Sequence, residues 1–123
     1  EQSNQAVALK DEIRSVDGLS VLAKQLQADN PNDLRGLAAK TFKELENGLL
    51  VAGGVFGKKV TLVAIASEAA NAKGYRAGDI VRNLTAELGG KGGGKPDFAM
   101  GGGTEPDKLQ SVLATWLESM ENK

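Results

Sequence analysis

Residues 49–67, "LLVAGGVFGKKVTLVAIAS", carry the clearest strand signal in the chain. Two apolar, β-branched runs flank Gly57-Lys58, where glycine can supply the positive φ of a two-residue hairpin turn. The stretch therefore predicts two antiparallel strands, Leu49–Phe56 and Lys59–Ala66. Upstream, "DNPNDLRGLAAKTFKELENG" (29–48) reads as a helix with Asn30 as its cap and Pro31 in its first turn. Leu34, Leu37, Ala38, Phe42 and Leu45 form its apolar face, and Gly48 is expected to close it. Before that helix, "LSVLAKQL" (19–26) alternates loosely and reads as a first strand. Ala6, Leu9, Ile13 and Val16 recur at mostly three- and four-residue steps, so 1–16 reads as the end of a longer amphipathic helix. Asp17-Gly18 would break it.

Downstream, "YRAGDIVRNLTAELGG" (75–90) predicts a helix from about Ala77, with Ala77, Ile80, Val81, Leu84 and Leu88 buried. "GGKGGGKPDFAMGGG" (89–103) follows at once and holds eight of the sixteen glycines. Within it, "PDFAM" reads as a short edge strand, because proline is tolerated at a strand's start. Thr104-Glu105-Pro106-Asp107 has the form of a capping box. The final helix presents Leu109, Val112, Leu113, Trp116, Leu117 and Met120 at 3.6-residue spacing, all expected in the core. The resulting class is α/β (α+β): a mixed sheet of about four strands with one hairpin, covered by three helices. The organisation predicted is the end of a helical subdomain over 1–16 and a globular unit over 17–123.

A chain of 123 residues fits one domain with a moderate core. No apolar run approaches the roughly 20 residues of a membrane helix, so no membrane partner is expected. The first residue is Glu1, which reads as a piece of a longer protein. Histidine and cysteine are both absent. That removes Ser-His and Cys-His nucleophile pairs and the usual zinc ligands. No catalytic residue and no metal site are assigned.

Glycine loses more chain entropy on folding than other residues, so a concentration of it must gain what side chains would prevent. Two gains are open. Two backbones can pass closely, or successive N–H groups can cradle a phosphate or ribose. The stretch is neither a P-loop nor a dinucleotide fingerprint, since Lys95 is followed by Pro96 and no strand leads directly into it. Between Lys73 and Lys95 five bases face two acids, a local +3 in a chain of net charge −1. This favours a nucleic-acid partner. The candidate contacts are Lys73, Arg76, Arg82, Gly89, Gly90, Lys91, Gly92, Gly93, Gly94 and Lys95.

"AGDIVRNLTAEL" (77–88) followed by "GGKGGGKPDFAMGGG" resembles the C-terminal domain of bacterial-type alanyl-tRNA synthetases, in the DHH-associated superfamily. The resemblance runs from about Asp17 to Met120 and includes "VTLVAIASEAANAKGYRAGDIV" (60–81). RecJ-like phosphoesterases of the superfamily commonly carry a histidine after the glycines. Here Lys95-Pro96-Asp97 stands instead, which favours the synthetase branch, with a RecJ-like substrate-binding domain as the alternative. Met100 occupies a place that is usually polar in the family. The resemblance implies a non-catalytic, cytoplasmic module that docks on the tRNA elbow and contacts the aminoacylation and editing domains of its parent. It leaves a homodimer open. ATP, magnesium and zinc would serve only the parent ligase, leaving this part with no cofactor.

Overall fold

A computed structural model describes residues 13–16, 18–45 and 47–121. Six strands form one mixed sheet: β1 (Arg14–Val16), β2 (Leu19–Gln25), β3 (Gly48–Phe56), β4 (Lys59–Ala66), β5 (Lys91–Gly94) and β6 (Phe98–Gly103). Their order across the sheet is β1-β2-β3-β4-β6-β5, with only β2 and β3 parallel. Among the described residues the helices are α1 (Pro31–Phe42), α2 (Glu68–Ala72), α3 (Ala77–Glu87) and α4 (Leu109–Glu121).

The hairpin forms in the expected register, with Phe56 opposite Lys59 and Gly57 at φ +65°. Leu49 to Ala52 are buried without alternation, because helices cover both faces of the central strands. Leu34 and Ala38 of α1 pack on Leu22, Leu50, Val63 and Ile65 on one face. Helices α3 and α4 close the other over Val21, Val51, Leu62 and Ala64. Helix α1 starts as predicted: Asn30 Oδ1 accepts from the Asp33 amide at 2.8 Å.

Several expectations need correction. Arg14–Val16 is a strand rather than the last turn of a helix. Gly18, at φ +81°, helps turn the chain back so that Val16 pairs with Leu19, and sheet pairing overrides the helical spacing. The rest of the expected helix, 1–12, lies outside the described residues. Gly48 does not close α1; it is the first residue of β3, and Asn47 makes the left-handed step at φ +50°. "PDFAM" contributes an interior strand, since β5 pairs outside β6 and takes the edge. Thr104 does not cap α4. Its amide donates to the Leu88 carbonyl at 2.9 Å and its hydroxyl to the Gly89 carbonyl at 3.4 Å. A short 3-10 turn, Pro106–Lys108, leads into α4 instead. Trp116 and Leu117 are half-buried at the margin of the core, whereas Leu109, Val112, Leu113 and Met120 are buried.

Candidate nucleic-acid interface

The glycine stretch is built into the sheet. Helix α3 ends in a Schellman turn: Gly90 N–H donates to the Thr85 carbonyl at 2.8 Å and Gly89 N–H to that of Ala86 at 3.4 Å, with Gly89 at φ +75°. The chain then enters β5, which lies antiparallel to β6 with Gly92 opposite Gly101 and Gly93 opposite Met100. A Cβ on Gly92 would stand 2.6 Å from Val81 Cγ1, and one on Gly101 would stand 2.8 Å from the same atom. The bare backbone of this strand pair thus lets α3 settle directly onto it. Of the two gains open to the sequence, close approach is the one built here. Successive N–H groups alternate in direction along a strand, so Lys91–Gly94 does not form a converging cradle.

The pairing separates the candidate residues by face. Gly92, Ala99 and Gly101 point toward α3. Lys91, Gly93, Met100 and Gly102 share the opposite face, the one α1 covers further inward. A Cβ on Gly93 would meet nothing within 4 Å, so this part of the sheet is open. Phe98 borders it half-buried, with the Arg35 guanidinium 5.3 Å from its ring centroid. Arg35 was not among the residues singled out, because 63 positions separate it from Phe98 and no local pattern links them.

The segment that carries Lys73 and Arg76 meets the turn that carries Lys95 at another corner. The amides of Ala77 and Gly78 donate to the carbonyls of Pro96 (2.8 Å) and Lys95 (3.1 Å). The first N–H groups of α3 are therefore committed to the β5–β6 turn and offer no seat to an anion. Asn71 fastens the same corner: its Nδ2 lies 3.1 Å from the Pro96 carbonyl, 3.1 Å from that of Ser67 and 3.3 Å from that of Tyr75. Sequence reasoning missed Asn71 as well. The helix cap at Ser67, whose Oγ accepts from the Ala70 amide, was the available signal for a short helix there. Arg82 stands apart on the outer surface of α3, 3.4 Å from Asp79 in an exposed i,i+3 pair of little energetic weight. The structure thus brings the backbone on either side of Lys73 and Arg76 against the turn that carries Lys95, places Lys91 and Gly93 on the open sheet face, and leaves Arg82 on the outer surface of α3.

Among the described residues, no cluster of three or more carboxylates could hold a metal ion, and no helix is long and apolar enough to cross a membrane. Around the glycine-rich strands the surface offers bare backbone, the ring edge of Phe98 and exposed cations, groups able to contact phosphates and bases.

Comparison with known proteins defines the class. The family model of the DHHA1 domain matches residues 18–122, and the chain belongs to that family. Within it, the chain is similar to a segment of the alanine–tRNA ligases. It is 42% identical over 112 residues to that of Opitutus terrae, a match covering 88% of this chain and 12% of the ligase. It is 34% identical over 119 residues to that of Geobacillus kaustophilus, covering 94% of this chain and 13% of the ligase. The chain thus spans about an eighth of the relatives it matches. The C-Ala domain of Aquifex aeolicus alanyl-tRNA synthetase shares the fold, with a TM-score of 0.75 at 24% identity over 88% of this chain and 96% of that one. A solved DHH-domain structure, described as belonging to a family of ribosomal proteins, shares it more loosely. Its TM-score is 0.60 at 18% identity, covering 96% of this chain and 30% of that one.

Proposed function

We propose that this chain is the C-terminal, tRNA-binding part of an alanine–tRNA ligase. It docks on the tRNA elbow and helps connect aminoacylation with editing. The observation that carries the reading is the match to alanine–tRNA ligases at 34–42% identity across most of the chain. The surface supports it. Lys73, Arg76 and Lys95 are exposed cations on segments that meet at one corner, available to phosphates, and the open face around Lys91, Gly93 and Phe98 has room for a sugar or an unpaired base. The chemistry of attaching alanine, with its ATP, magnesium and zinc, belongs to other parts of the parent. The setting is the cytoplasm, and the remaining contacts are with the parent's own aminoacylation and editing domains.

The test is equilibrium binding of the chain to tRNA beside a duplex RNA of equal charge. Tighter binding of tRNA supports the reading. Equal binding of both, or metal-dependent cleavage of either by the purified chain, rejects it.

A further inference from the structure

The chain's single tryptophan and single tyrosine line one cleft. It lies between α3 and α4, encloses about 240 Å³, and is walled by Tyr75, Arg76, Asp79 and Asn83 on one side and Trp116 and Met120 on the other. Asp79 and Asn83 stand one helical turn apart on α3, and Trp116 faces them from α4. Gly74, in the left-handed region at φ +95°, bends the chain so that Tyr75 and Arg76 close one end. Pockets for drug-sized ligands run to roughly 300–1,000 Å³, so this one has room for a single planar group.

We propose that this cleft is a seat for one nucleobase and its phosphate. An indole at the cleft wall offers a stacking surface to any base. Asn83 carries both a donor and acceptors, and Asp79 accepts from ring or exocyclic N–H groups, so together they can read a base edge. Arg76 at the mouth supplies the cation for the phosphate. Asn83 is exposed on α3 and serves no role in the core. The cleft lies on the α3–α4 side of the sheet, opposite the open face of Lys91 and Gly93, yet Arg76, which lines it, adjoins Ala77, whose amide donates to the Pro96 carbonyl at the Lys95 corner. A strand held at that corner can turn one unpaired base into the cleft. The ligand is thus a base with its phosphate, taken from an RNA or as a free mononucleotide. The RNA source rests on the tRNA-binding reading above.

The sole tryptophan makes the test direct. Trp116 fluorescence is followed while the chain is titrated with whole tRNA and, separately, with GMP and AMP. Retention of labelled tRNA on a filter measures total binding independently. Saturable quenching in step with retention supports the proposal, and quenching by tRNA but not by mononucleotides identifies RNA as the source. Trp116→Leu should then weaken tRNA binding about 5- to 150-fold, the range for one base stacked on an aromatic ring. Asn83→Ala should shift the quenching midpoint without changing the melting temperature. It decides the matter if Trp116→Leu does not fold. Retained tRNA with unchanged fluorescence overturns the proposal and leaves the tRNA-binding reading standing. If tRNA is not retained, that reading fails and the mononucleotides judge the cleft alone: saturable quenching supports a free-nucleotide seat, and none overturns it.

Discussion

The amide of Gly78 donates to the carbonyl of Lys95 at 3.1 Å, tying the start of α3 to the turn between the two glycine-rich strands. A Cβ on Gly78 would stand 2.6 Å from the Gly94 carbonyl oxygen. Gly78→Ala should therefore destabilise the protein by about 1–3 kcal/mol, the cost of overpacking, despite alanine's better helix propensity. Chemical denaturation checks this, and a gain in stability would show that the contact yields freely.

The alternation of β5 gives a paired test. Gly92→Ala pushes into Val81 and should also cost about 1–3 kcal/mol. Gly93→Ala points into open space and meets only the backbone penalty of φ +156°. Its cost should be about 1–3 kcal/mol, from backbone strain alone. Enlarging each alanine to valine separates the two causes in melting curves: a further loss is expected at 92 and little more at 93, and the opposite result would mean that the faces are misassigned.

Helix α4 should show a gradient along its apolar stripe. Leu109 is fully buried, so Leu109→Ala should cost about 2–5 kcal/mol. Trp116 is half-buried and should cost about 2 kcal/mol on truncation to alanine, roughly half of a fully buried aromatic. Urea unfolding of both variants reads the difference.

How much of this was legible beforehand follows from the range of each interaction. The β3–β4 hairpin was readable because its turn lies between its own strands, at Gly57-Lys58. The cap at Asn30 and the buried stripe of α3 are likewise local. Strand β5 was not readable: Lys91–Gly94 has one side chain beyond hydrogen, so it shows no alternation, and its strand character comes from pairing with β6. β1 fails for the same reason in reverse, since Val16 fits a helical spacing until Leu19 pairs with it. Of the candidate site, the cations were readable as a cluster in sequence. Their division between the Lys95 corner, the open face of Lys91 and the outer surface of α3 depends on strand parity and on the long-range bond from Asn71 to Pro96.

If Lys91 and Lys95 each meet a phosphate, replacing either by alanine should flatten the dependence of log K on log salt by about 0.7–0.9. Affinity for different tRNAs should fall alike, because phosphate contacts carry little sequence information. A titration series at several salt concentrations gives both quantities, and an unchanged slope in both variants would move the RNA surface elsewhere.

The most direct measurement is the affinity of this chain for an intact tRNA beside the same tRNA with its elbow disrupted by substitutions in the interacting loops. Docking on the elbow predicts a clear loss of affinity for the disrupted tRNA at constant salt, with circular dichroism of the protein unchanged. Equal affinity for the two RNAs would contradict it.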